Sequence, residues 1–288
     1  MTEHVRADAD AIVIRGEGGI RASEVVVGAA TDVGRLRTIN EDGYLAIAPA
    51  FVVVDGMGGH AAGRMATQVA LDSLYSLAGA TVTDVDTVVR AVVAAQEAIM
   101  AIPSHAAYLP GATIAGVILA WVADEQGVTR PTWVIFNIGD ARVYLLRDDM
   151  LSQVTRDHSR VQILIETGEL TPEQARRDPR RNIVTRALGG GIADSGVPDL
   201  YTVPVAAGDR FLICSDGLSD ELDDEAIATV LAAGYTAQRT AELLVAASLE
   251  GGGHDNTTAV VVDSLQVPTP PLGARASHPG DASSQGAQ

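Results

Sequence analysis

Runs of consecutive apolar, largely β-branched residues at 11–14, 25–29, 44–48 and 50–54 open the chain and predict strands, the last two joined through Pro49. Residues 51–54 are apolar at every position, as in a strand covered on both faces. At 60–77 and 85–102 the pattern changes to helical spacing in an alanine-rich background, which predicts two amphipathic helices. Strand-like runs return at 113–122, 132–137, 141–146 and 151–154 with breaks too short for crossovers, so antiparallel hairpins are expected. The stretch 157–182 lacks strong periodicity and contains a Thr171-Pro172-Glu173 helix start; it reads as a surface flap. Strands follow at 199–203 and 210–214, helices at 224–231 and 237–249, and a final strand at 257–262.

This order predicts an α+β fold: a four-layer α/β/β/α sandwich whose two central antiparallel β-sheets are each flanked by a helix pair. No internal repeat is visible. One domain is expected over 23–265, with segment 1–22 contributing a strand. The tail at 266–288, rich in Pro, Gly, Ser and Ala, is expected to be disordered.

Composition narrows the setting. With 288 residues and 47% apolar content, the chain can bury a substantial core. Its net charge of −17 argues against nucleic acid and membrane surfaces as partners. The N-terminus lacks the basic start and apolar core of a signal peptide, and no apolar run approaches a membrane span. A cytoplasmic monomer is therefore expected. The single cysteine, Cys214, excludes an intrachain disulfide and sits in an apolar run as a core residue. All 20 basic residues are arginine, which excludes lysine-based catalysis. Five of them, Arg176, Arg177, Arg180, Arg181 and Arg186, fall within eleven positions. That cluster suits phosphate or an acidic peptide, and equally suits a solvated loop paired with surface acids.

The candidate chemistry lies in acidic residues next to apolar runs. Asp55 precedes Gly56, Asp216 precedes Gly217, and Asp255 precedes Asn256; Glu41-Asp42 and Gly139-Asp140 add two more such sites. A single Asp-Gly pair is an ordinary turn, but clustered carboxylates repel and need a cation to coexist. The donors are all oxygens, which selects Mg²⁺ or Mn²⁺ over zinc, and no contiguous calcium loop is present. The six histidines are scattered with no pair at i, i+4, and His254 reads as a loop residue beside Asp255. Ser215, in Cys-Ser-Asp-Gly, lacks a nucleophile-elbow context.

In order and spacing these segments resemble the metal-dependent serine/threonine protein phosphatases of type 2C, in the bacterial single-domain form. The matching pieces are Arg37 with Asn40-Glu41-Asp42, the run from Asp55 to His60, Gly111-Ala112-Thr113, Gly139-Asp140-Ala141-Arg142, Thr155-Arg156-Asp157-His158-Ser159, Ala187-Leu188-Gly189, Ser215-Asp216-Gly217-Leu218 and Asp255-Asn256-Thr257-Thr258. The resemblance implies hydrolysis of phosphoserine and phosphothreonine in proteins, kinases and their targets among them, in opposition to serine/threonine kinases. A silent phosphoprotein-binding module and a small-phosphoester hydrolase are the alternatives on the same fold.

The resemblance also implies roles. Asp55 would bridge two Mn²⁺ or Mg²⁺ ions, with Asp216 and Asp255 on one and Glu41 and the Gly56 carbonyl on the other. Asp42 would act through water on the metal, Asp140 with Asp216 would hold a weaker third ion, and Arg37 would bind substrate phosphate. Thr113, Arg180 and Arg181 are expected at the substrate side and flap. Two positions depart from the family pattern. Met57 stands where many eukaryotic members place a histidine proposed as general acid, with His60 three positions later, so no general acid is assigned. Asn182 stands where bacterial relatives often have a flap serine.

Overall fold

The computed structural model describes residues 12–15, 25–59, 61–103, 109–124, 126–192 and 196–268. His60 and most of the expected tail lie outside them. Among the described residues there are twelve strands in two sheets. The larger sheet runs β1 (Ile12–Arg15), β3 (Asp42–Ile47), β4 (Ala50–Met57), β5 (Gly111–Ala123), β6 (Thr129–Ile138), β10 (Asp199–Pro204), with the two-residue β9 (Leu188–Gly189) also on β5. The smaller runs β2 (Val25–Asp32), β12 (Thr257–Ser264), β11 (Arg210–Cys214), β7 (Arg142–Arg147), β8 (Met150–Gln153). Every pairing is antiparallel except β1 with β3. The excursion of β2 into the other sheet lengthens that connection, and a long connection is what a parallel pair requires.

The inner faces meet in a dry core. Tyr44, Phe51 and Trp133 of the larger sheet pack on Val143, Phe211 and Val260 of the smaller, and the Trp133 and Phe211 rings meet edge to face at 5.3 Å. Helices α1 (Ala61–Leu74) and α2 (Val85–Met100) cover the outer face of the larger sheet through Leu71, Leu74, Val92 and Ile99. Helices α6 (Asp224–Ala232) and α7 (Ala237–Gly251) cover the smaller through Ile227, Leu231 and Leu244. Both strand faces are thus buried, which explains the continuous apolar run at 51–54. Gly28 sets the distance of α7 from β2: a Cβ there would stand 2.0 Å from the backbone nitrogen of Gln238.

The flap is built of two short helices, α3 (Arg160–Glu166) and α4 (Pro172–Ala175), joined by turns. Thr171 and Gln174 form a reciprocal capping box, so the helix start read from Thr171-Pro172-Glu173 is where α4 begins. Two elements among the described residues have no counterpart in the periodicity, the two-residue β9 and the single-turn α5 (Asp216–Ser219) after β11.

Candidate active site

Topology gathers the acidic residues at one end of the sandwich. Asp42 stands opposite Asp55 in the β3–β4 ladder, and Asp55 stands opposite Thr113 in β4–β5, so the three lie abreast. Directly opposed like charges destabilise a sheet. From the other sheet, Cys214 at the end of β11 pairs with Ala259 near the start of β12, which brings Asp216 and Asp255 out at the same end. Asp140 occupies the turn between β6 and β7, and Glu41 immediately precedes β3. A cleft of about 740 Å³ results, lined by Arg37, Glu41, Asp55, Gly56, Thr113, Asp140, Asp216 and Asp255 together with Met57 and Asn182.

The strand expected to stop at 54 runs on to Met57, because its ladder with β5 continues to Gly111. Asp55 is therefore inside a paired strand and not at a turn. Gly56 supplies room, since a Cβ there would stand 2.4 Å from the Gly63 carbonyl oxygen of α1, and the chain turns at Gly58 and Gly59, both at positive φ. Gly217 is constrained in the same way: its Cβ would meet the Asn256 carbonyl oxygen at 2.0 Å, so the turns carrying Asp216 and Asp255 touch through backbone.

Hydrogen bonds fix the surroundings of each acid. Buried Asp42 does not line the cleft; its Oδ2 accepts from Ser215 Oγ and Thr258 Oγ1, both at 2.7 Å, while Oδ1 has no hydrogen-bond partner. Asn256 donates to the Val33 and Ile39 carbonyls and accepts from the Glu41 backbone N–H at 2.8 Å, which ties the 33–41 loop to the Asp255 turn. His158 holds the Asp140 turn: its Nδ1 accepts from the Gly139 N–H at 3.1 Å, its backbone N–H donates to the Gly139 carbonyl at 2.8 Å, and Nε2 faces Asp199.

The carboxylates pay a heavy electrostatic cost. Burial pushes Asp42 and Asp140 up to about 7, with further elevation at Asp42 from Asp255 and Glu41 and at Asp140 from Asp157. Asp55 and Asp216 are held well above the usual carboxylate range, first by burial and then by neighbouring acids. Among the described residues, no three Asp, Glu, His or Cys side chains are gathered tightly enough to hold an ion as they stand. Asp255 is turned to Arg37, whose Nη2 lies 2.6 Å from Oδ2, so the expected phosphate-binding and metal-binding groups are here partners of each other. The donor set nonetheless fits a hard divalent cation: all oxygens, mutually repelling, with Asp42 Oδ1 and Thr113 Oγ1 buried without hydrogen-bond partners.

The two flap arginines separate. Arg181 lines a recess beside the cleft, whereas Arg180 lines none of the three principal cavities and is locked to Asp178 by two bonds at 2.8 Å. Arg176, a member of the arginine cluster singled out in the sequence, shares that recess; sequence reading missed Asp220 beside it, which lies four residues after Asp216, a helical spacing that marks it as a neighbour. It also missed the pairing of Ser215 with Asp42, for which adjacency to Asp216 was the only signal.

A two-sheet sandwich with helix-covered faces and a carboxylate-lined cleft at one end defines a class of metal-assisted hydrolase folds. Residues 38–251 match the protein phosphatase 2C family, and the chain belongs to that family. The match stops one residue short of Arg37 and four short of Asp255. The serine/threonine protein phosphatase PstP of Mycobacterium tuberculosis is 38% identical over 240 residues, covering 82% of this chain. The chain spans only 44% of that relative's length. The serine/threonine phosphatase stp of Listeria innocua is 33% identical, over 81% of this chain and 93% of its own. Among solved structures, M. tuberculosis PstP/Ppp superposes with a TM-score of 0.74 at 36% identity, covering 83% of this chain and 98% of that one. The PstP catalytic domain in complex with two manganese ions does so at 0.72, with the same identity and coverage.

Proposed function

We propose that the chain hydrolyses phosphoserine and phosphothreonine in proteins, as a cytoplasmic monomer opposing serine/threonine kinases, with two Mn²⁺ or Mg²⁺ ions bound in the cleft. The observation that carries this reading is the convergence of carboxylates from both sheets with one arginine around a single cleft, in a chain of this family. Asp55 would bridge the ions, Glu41 and the Gly56 carbonyl would complete one, and Asp216 and Asp255 the other. Asp140 with Asp216 would hold a third more weakly, beside Asn182 of the flap.

Paired divalent cations supply a water of lowered pKa and offset charge on the phosphoryl oxygens. The chain's own residues do the rest. The Arg37 guanidinium, which lies at the cleft paired with Asp255, would grip two phosphoryl oxygens in a bidentate fork. Asp42, behind the cleft wall, is fixed by Ser215 and Thr258, and its buried, unpartnered Oδ1 would act on the site only through a bridging water. The ladder holding Asp42, Asp55 and Thr113 abreast keeps this arrangement rigid between turnovers. The test is turnover of a phosphothreonine peptide with Mn²⁺ and after chelation with EDTA. Loss of hydrolysis on chelation is expected; full activity in EDTA would overturn the reading.

A further inference from the structure

Beside the main cleft lies a recess of about 340 Å³ that shares Arg37, Asn182 and Asp255 with it and adds Arg176, Arg181 and His254. Two flap arginines thus face a cavity continuous with the one that would hold the reacting phosphate, in a chain of net charge −17. We infer that this recess is a second anion subsite, taking a phosphate or carboxylate carried by a substrate residue close to the phosphorylated one. The inference rests on the phosphatase reading and names the class of protein substrate it favours.

The acids in the recess are paired with groups that line it. Glu221 accepts from the His254 backbone N–H at 3.2 Å and pairs with His254 Nδ1 at 2.6 Å. Asp255 is taken by Arg37 at 2.6 Å. Asp220 meets Arg181 only across 3.5 Å, a loose ion pair that an incoming anion can replace. Arg176 is held differently, with Nη1 and Nη2 donating to the Ser219 and Asp220 carbonyls at 3.1 Å each. These bonds anchor the guanidinium at the end of α5 without a carboxylate hydrogen bond among the described contacts, so its charge is presented to the recess in a fixed place. Arg180 offers the internal contrast: it neighbours Arg181 in sequence, but both ends of its guanidinium are bound to Asp178 outside the recess.

The shared chemistry is a compact anion that accepts charge-assisted hydrogen bonds, and two kinds of residue can bring it: a second phosphoserine or phosphothreonine, or an aspartate or glutamate. The experiment compares kcat/KM of the Mn²⁺-loaded full chain on matched phosphothreonine peptides with phosphoserine, aspartate or alanine placed successively at flanking positions. At one spacing or more, the anion-flanked peptide is expected to be preferred over the alanine peptide by about tenfold, the gain of one to two charge-assisted hydrogen bonds. A preference confined to phosphoserine assigns the recess to phosphate; one shared by aspartate assigns it to negative charge in general. The combined Arg176→Ala and Arg181→Ala variant should bring the ratio to about one, while Arg180→Ala keeps it. Turnover of para-nitrophenyl phosphate by the same samples reports that each is folded and metal-loaded. A flat ratio in the unmodified chain, or an undiminished ratio in an ester-active double variant, overturns the subsite alone. Loss of all turnover by the unmodified chain, ester included, overturns the phosphatase reading and the subsite with it.

Discussion

The floor of the cleft and the flap beside it are both crowded with charge, yet they are built by opposite means. On the floor, Asp42 and Asp55 belong to paired strands and Asp140, Asp216 and Asp255 each lie two residues from a strand end, and the raised pKa values of Asp42, Asp55, Asp140 and Asp216 record the cost of holding acids together in a buried place. On the flap, charges sit on short helices and turns, and several are neutralised by near neighbours. Arg180 pulls Asp178 down to about 2, and Arg156 with Gln162 pulls Glu166 down to about 2. The floor is strained towards taking up a cation, whereas Asp178, Arg180 and Glu166 of the flap are already paired. Chemistry is thus placed on rigid elements, and selectivity on elements that can be altered without disturbing the fold.

The largest effect should come from breaking the floor. Asp55→Ala removes the acid standing between Asp42 and Thr113 in the ladder and proposed as the bridge between ions. Loss of Mn²⁺-dependent turnover by about a thousandfold or more is expected, with paired Mn²⁺ binding lost in titration calorimetry. Asp140→Ala, at the rim between β6 and β7, should leave the paired binding intact and weaken only a third site. Paired binding retained in the Asp55 variant would show that the assignment of the floor is mistaken.

The same contrast explains what could be read without coordinates. The sandwich was legible because apolar runs and helical spacing alternate cleanly, and the cleft was legible because each acid adjoins one of those runs. The end of β4 was misread because an Asp-Gly pair inside a ladder looks the same in sequence as one at a turn; only the pairing with Gly111 extends the strand to Met57. The parallel β1–β3 pair was hidden because registry between distant segments leaves no local pattern. On the flap, arginine density was visible but direction was not. Whether Arg180 or Arg176 faces the recess depends on the turns after α4, where Asp178 captures one guanidinium and the end of α5 captures the other.

The electrostatic cost of the floor makes an intermediate-sized prediction. Asp42 and Asp140 titrate near 7 in the fold, and Asp55 and Asp216 lie well above the ordinary range, so the folded chain binds protons that the unfolded chain has already released. A raised carboxylate pKa gives stability that is complete below the unfolded value near 3.8 and is lost as pH rises through the folded value. The metal-free protein should therefore melt at a lower temperature at pH 8 than at pH 5.5. His158, whose pKa is lowered first by burial, works the other way below its ordinary value of 6.5, but as one group against four. The lowered acids of the flap titrate below this window. Mn²⁺ should reverse the trend, raising the melting temperature more at pH 8, where the cleft is anionic, than at pH 5.5. A larger metal-induced gain at the lower pH would contradict the picture of a floor strained by its own charge.

The smallest effect should come from Arg180, and its smallness is what sharpens the comparison. Arg180 belongs to the same basic cluster as Arg176 and Arg181, so a flap that works through overall positive charge would lose about as much from Arg180→Ala as from either of them. The geometry argues otherwise: its two bonds to Asp178 are exposed and local, and such surface pairs contribute little because solvent screens them and the side chain gives up entropy to form them. Arg180→Ala should leave the melting temperature, the turnover of para-nitrophenyl phosphate and the turnover of a plain phosphothreonine peptide indistinguishable from those of the parent. A marked loss on the peptide alone would mean that the arginine leaves Asp178 when substrate arrives. The flap would then act as a diffuse basic surface, and the division between a guanidinium held at the end of α5 and a surface-paired one beside it would fail.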